Sequence, residues 1–218
     1  AERQRPNEAV SFVEADGNKE RLVVIPNTHF EPTHNFEISP ENWLSVSPLS
    51  LVHSHVTTSA KPSRTDVIMC EESGIPWHIY SLKDNAWEVL MPQGIKFQLA
   101  GREFIWGVHD CFSLVRDYYK TAHNIDLPNF YRRHEFWRFG EDLIARHYEG
   151  AGFSKVDDLK VGDLVVMKIF SKIPNHLGVF VQNRLLLHHI SRRLSGVDIY
   201  GGVWLQNTCA VYRHKTLL

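Results

Sequence analysis

The chain has 218 residues, a formal net charge of −1 and 43% hydrophobic residues, so it can form one large domain or two small ones of ordinary globular composition. The balanced charge gives no footprint for nucleic acid, and no apolar run approaches the roughly 20 residues that membrane insertion requires. Three cysteines (Cys70, Cys111, Cys209) are too few and too scattered for a disulfide framework, and no charged-then-apolar signal segment opens the chain.

Residues 21–25 (RLVVI) read as a strand, after which Pro26, Pro32 and Pro40 punctuate a polar stretch. Residues 49–55 (LSLVHSH) read as a second strand. A helix is expected over 64–73, with Ser63 as N-cap and Gly74 as its stop. Two strands follow, from Trp77 and from Ala86, around a Lys83-Asp84-Asn85 turn. The break at Met91-Pro92-Gln93-Gly94 suggests a boundary between a domain at 1–93 and another at 94–218. In the second half, residues 111–122 make an amphipathic helix with Leu114, Val115 and Tyr118 on one stripe, and residues 135–149 read as another helix. Strands then dominate, starting at Gly162, His176, Leu185 and Cys209. Two compact α+β units fit this order. Tyr131-Arg132-Arg133-His134 reads as a solvated basic face, Trp43, Trp77 and Trp87 as core, and Cys70 and Cys209 as packing thiols.

Thirteen histidines are many for this length, and two sets of them carry chemistry. His53 and His55 are two apart on a strand, so their side chains share a face and can supply two corners of a metal tetrahedron. Asp66, on the first turn of the next helix, is a candidate third ligand. Three protein ligands would leave one position open, which is the catalytic pattern. Ser63-Arg64-Thr65-Asp66 is also a capping-box variant, which needs no metal.

The full string His53-Ser54-His55, seven residues, Ser63, two residues, Asp66 resembles the H-S-H-x7-S-x2-D motif of the JAMM (MPN+) metallopeptidases. Pro6-Asn7-Glu8 resembles the start of that family's upstream P-x-E-x-C-G helix, with Val10 and Ser11 departing from it. The resemblance implies a cytidine-deaminase-like α/β/α domain, with zinc (Zn2+) on His53, His55 and Asp66. It makes Glu8 the proton shuttle, in preference to Glu14 or Glu20, and Ser63 a donor to the developing oxyanion. The activity implied is cleavage of peptide or isopeptide bonds.

The second set surrounds Cys111. Asp110 can cap the helix, and Cys111 then faces its positive end, where a thiolate is favoured. The order Asp110-Cys111, Leu159 to Leu164 (L-x-x-G-D-L), His176-x-Gly178 and a distal histidine resembles the NlpC/P60 family. Gly178 fits a close approach of the cysteine helix. A three-residue loop at 182–184 would put His188 on the face of His176, while a two-residue loop at 182–183 would favour His189. His188 is preferred, being twelve positions after His176 as in the family. The resemblance implies a papain-like α+β domain with Cys111 as nucleophile, His176 as base and His188 orienting it. Phe112-Ser113 replaces the family's Ser-Gly, and its tyrosine ahead of the cysteine has no clear equivalent. Family substrates are peptide stems of peptidoglycan.

The pairing of the two units, with Gly101-Arg102-Glu103-Phe104 leading to the Asp110 to Tyr119 run, resembles the tail-tip assembly family of lambda-like bacteriophages. This implies other phage tail-tip proteins as partners, and a place in the host cytoplasm during assembly and at the virion tail tip. It also implies action on the periplasmic wall once delivered. The competing expectation is a structural tail-tip component with vestigial sites.

Overall fold

The computed structural model describes residues 1–218, which form two compact units, Ala1–Lys96 and Phe97–Leu218. Both mix helices with sheets, so the chain is α+β. No helix is long and apolar enough to cross a membrane.

The first unit runs β1 (Val10–Asp16), β2 (Lys19–Ile25), α1 (Pro40–Leu44), β3 (Ser50–His55), α2 (Arg64–Ser73), β4 (Trp77–Ser81) and β5 (Ala86–Leu90). Its sheet has the order β2-β1-β3-β4-β5. Only β3 and β4 are parallel, and α2 makes the crossover that a parallel pair needs. Strand β1 escaped the sequence reading because its burial does not alternate. The signal for it was the turn: Gly17-Asn18 joins β1 to β2 as a two-residue loop, with Gly17 at φ 62°. Val10, Phe12, Ile25, Phe36, Leu51, Cys70 and Trp77 pack as one core. Trp87, expected inside, stands on β5 59% exposed.

The second unit runs α3 (Cys111–His123), α4 (Leu143–His147), β6 (Phe153–Val156), β7 (Leu164–Met167), β8 (His176–Val181), β9 (Leu185–His188), β10 (Gly196–Ile199), α5 (Gly202–Asn207) and β11 (Thr208–His214). The antiparallel sheet has the order β10-β9-β8-β7-β11-β6. Strand alternation divides its core in two. Leu164, Val166, Leu177 and Val179 meet Val115 and Tyr119 of α3, while Val165, Met167 and Leu186 pack with Tyr200 on the opposite face. Because both faces are covered, β7 is buried throughout. The innermost tyrosine of α3 is Tyr119 rather than Tyr118.

The expected helix over 135–149 is broken. A 3₁₀ turn at Phe136–Phe139 ends at Gly140 with φ 75°, and Asp142 caps the short α4 by accepting from Ala145 N. A left-handed glycine stops a helix more readily than apolar periodicity extends it.

A buried ion pair ties the turn ahead of β7 to β11. Asp163, in the Gly162-Asp163-Leu164 turn, accepts from Arg213 Nε and Nη2 at 2.8 Å each. Both residues are under 5% exposed. Removing one partner strands a buried charge. Asp163→Ala is expected to destabilise the unit by about 3–5 kcal/mol in urea-unfolding curves of the full chain.

Candidate active sites

In the first unit, β3 turns His53 and His55 to one face. The pairing of β1 with β3 puts Val10 opposite His53, and just beyond it Ala9 N donates to Ser54 Oγ (2.9 Å) while Ser54 N donates to Ala9 O (3.0 Å). The Nε2 atoms of His53 and His55 converge at 3.2 Å. Asp66 reaches both, Oδ1 lying 3.4 Å from His53 Nε2 and Oδ2 3.4 Å from His55 Nε2. All three residues are buried.

This cluster can hold a metal ion. The 3.2 Å between the two Nε2 atoms is close to the roughly 3.3 Å edge of a tetrahedral site with nitrogen ligands about 2.0 Å from the ion, and one ligand atom from each of the three residues lies within 4.8 Å of the others. His55 Nδ1 donates to the Ser59 carbonyl at 2.7 Å, which leaves Nε2 as the lone-pair nitrogen. His53 packs against Phe36 and Trp77, and its Nδ1 is buried without a hydrogen-bond partner. Burial pushes the His53 pKa down to about 4, keeping it neutral. The Asp66 carboxylate, able to accept from a protonated His55, raises the His55 pKa. For Asp66, burial alone would raise the pKa, but His55, His53 and Ser63 together hold it below the usual range.

Ser63 caps α2. Its hydroxyl accepts from Asp66 N (3.1 Å), and Ser63 N donates to Asp66 Oδ2 (2.7 Å). The capping box and the ligand arrangement are therefore the same structure. Ser63 is exposed, and its hydroxyl proton can still be donated outward. Glu8 is not on a helix. It sits in the extended segment entering β1, because its N–H donates to Pro32 O and its carbonyl accepts from the Asn27 amide. Its carboxyl is buried and its pKa is pushed up to about 7, chiefly by burial, against the opposing charge of His55 and with that of Asp66. Glu14, the discarded competitor, is paired with Arg21 on β2.

In the second unit, Asp110 caps α3 by accepting from Ser113 N (2.9 Å) and also accepts from Gly107 N. Arg132 grips both its oxygens, at 2.7 and 2.9 Å. Arg132, expected on a solvated face, is thus a buried counter-ion, 8% exposed. Burial alone would raise the Asp110 pKa, but the guanidinium holds it low.

Cys111 opens α3, and its sulfur receives the backbone amides of Leu177 and Phe112. These donors do not make a thiolate. Burial and the neighbouring Asp110 charge push the thiol up to about 12, against the expected depression. Apolar side chains, among them Phe130, Ile144 and Leu177, line a cavity of about 70 Å³ beside it.

The β8–β9 loop is the three-residue turn Gln182–Arg184, with Val181 opposite Leu185 and Gly178 opposite His188. His176 Nε2 lies 3.0 Å from His188 Nδ1. His189 turns away, its ring edge-on to Phe104. Burial and the neighbouring histidines push the His176 pKa down to about 3, so at neutral pH the site holds a thiol and a neutral imidazole. The structure adds a residue that sequence reading missed: Asp198 on β10, whose Oδ2 is 3.1 Å from His188 Nε2. Its alternation between the exposed Val197 and Ile199 was the available signal.

Residues 101–213 match the profile of the NlpC/P60 family, and residues 1–93 match that of the prokaryotic homologs of the JAB domain. The fold and sites thus define a two-domain protein, JAB-like first and NlpC/P60 second. The chain is similar to the tail tip assembly protein K of Escherichia phage N15, with 30% identity over 217 residues, 96% of this chain and 89% of that protein. It is also similar to the tail tip assembly protein K of Escherichia phage lambda, with 32% identity over 188 residues, 82% of this chain and 89% of that protein. It belongs to the NlpC/P60 family and to the tail tip assembly protein K family.

Gly178 has a role other than the expected approach of α3. A Cβ there would lie 2.8 Å from Leu186 Cδ1 and 3.1 Å from His188 Cβ. The glycine makes room for the strand that carries His188. Gly178→Ala is expected to cost about 1–3 kcal/mol, as overpacking does, and to lower the melting temperature of the full chain.

Proposed function

We propose that this protein takes part in phage tail-tip assembly and carries a peptidoglycan-peptide hydrolase in its C-terminal unit and a zinc-dependent peptidase in its N-terminal unit. The observation that carries the first activity is the His176–His188 hydrogen bond on the sheet whose strand β8 meets the helix headed by Cys111. Burial favours the neutral thiol and the neutral imidazole, which suits a proton that leaves sulfur as the carbonyl is attacked. His176 receives it, and His188 steadies the imidazolium that forms. Proton return to the leaving amine and hydrolysis of the thioester complete the cycle.

In the N-terminal unit, His53, His55 and Asp66 would hold zinc, which supplies Lewis-acid polarisation of a carbonyl. Glu8, titrating about 7, is suited to take up a proton and hand it on. The Ser63 hydroxyl can donate to a developing oxyanion. A second reading, a structural tail-tip component with vestigial sites, draws support from the raised Cys111 pKa.

Digestion of Gram-negative peptidoglycan, with mass spectrometry of the released muropeptides, separates these readings. Wild type and Glu8→Gln are expected to release cut stem peptides, and Cys111→Ala to release none. Absence of release by all three would sink the wall-peptidase reading. Separately, the purified chain is expected to retain about one zinc per molecule by elemental analysis. His55→Ala should lose that zinc while keeping its circular dichroism, and a wild type unable to bind zinc would remove the metallopeptidase reading.

A further inference from the structure

The polar chain at the second site extends beyond its histidines. His188 bonds His176 through Nδ1 and Asp198 through Nε2. Asp198 is in turn clamped by Arg193, with Nη1 3.1 Å from Oδ2 and Nη2 3.2 Å from Oδ1. Strand alternation puts this carboxylate beneath β10 while its neighbours Val197 and Ile199 face solvent.

Donor and acceptor roles follow from the outer end inward. A carboxylate paired with a guanidinium stays ionised and can only accept. His188 Nε2 must therefore carry a proton. In a neutral imidazole the other nitrogen then accepts, so His188 Nδ1 is an acceptor. Burial keeps His188 neutral by lowering its pKa, although Asp198 opposes this. His176 Nε2 is consequently the donor of the 3.0 Å bond, and the His176 lone pair lies on Nδ1.

We infer that the Arg193–Asp198 pair is a positioning device that fixes the tautomers of His188 and His176 and leaves the His176 lone pair on Nδ1, the nitrogen then able to act as base in the peptidase reading. Neither residue touches the thiol's proton. They act by dictating which way each imidazole is protonated, and the Asp198 charge also favours the cation formed at His176. The catalytic meaning rests on the peptidase reading, whereas the tautomer assignment does not.

The test uses the full chain with ¹⁵N-labelled histidine. Two-bond ¹⁵N–¹H correlations at pH 7.5 report the tautomers, with assignment from His188→Gln and His176→Gln. The rate of iodoacetamide alkylation at Cys111, read by peptide mass spectrometry, reports the base. Wild type should show Nε2-protonated rings at both positions. Asp198→Asn, whose amide can donate to His188 Nε2, should switch both rings to Nδ1-protonated. It should also slow alkylation roughly 10- to 100-fold, by analogy with loss of the outer partner of a metal-bound imidazole. Asp198→Glu should restore the wild-type tautomers and part of the rate. An Nδ1-protonated His176 in the wild type would overturn the inference, as would an unchanged pattern and rate in Asp198→Asn. Tautomers as expected in a protein that cuts no wall peptide would support the inference and count against the peptidase reading alone.

Discussion

In β3 the imidazoles of His53 and His55 share a face because Ser54 takes the other, and the register of β1 against β3 sets Ala9 across from Ser54. A slip of one residue in that pairing would reverse every side chain and carry Glu8 away from the cluster. The second unit relies on the same constraint. Gly178 pairs with His188 across the β8–β9 ladder, and His176 meets His188 along the same face. In both units hydrogen-bonded strands hold the histidines, which is firmer support than a loop gives.

Burial then decides the electrostatics. It pushes Glu8 up to about 7, His53 down to about 4, His176 down to about 3 and Cys111 up to about 12. A helix N-terminus stabilises an adjacent anion by about 0.3–1 kcal/mol, which is under one pKa unit. That is too little to offset a thiol set among apolar side chains and next to the Asp110 carboxylate. The position of Cys111 at a helix start was legible in the sequence, but its protonation state was not, because the sequence does not show how much water reaches the sulfur.

The same division runs through the fold. Ser63, Asp66 and Gly74 announced α2 and its capping box because cap chemistry is local. The five-residue string around His53 was equally legible, its spacing being fixed by one strand and one helix turn. What failed was long-range or depended on one conformation. Gly140 split a helix that periodicity alone would have continued, and Arg132 left its basic cluster to neutralise Asp110, 22 residues away in sequence. The choice between His188 and His189 hung on a loop length that only the register settles. Asp198 reaches His188 across a strand pair, and the alternation of Val197, Asp198 and Ile199 marks a strand face without naming the partner across it.

Both helices at the sites reuse their capping carboxylates. Asp66 closes the capping box of α2 and also faces two imidazoles, while Asp110 caps α3, binds Arg132 and precedes Cys111. Such double use is costly if the sites have no chemistry to perform. The N-terminal cluster buries Glu8, two imidazoles and Asp66 together, and leaves His53 Nδ1 without a partner. A buried polar group left unsatisfied costs about 1–3 kcal/mol, and a helix cap needs only Ser63 and Asp66. Apolar side chains at positions 8, 53 and 55 would serve a purely structural tail component better. A cation on Nε2 would not relieve His53 Nδ1, but it would offset the desolvation of Asp66 and the two imidazoles buried beside it.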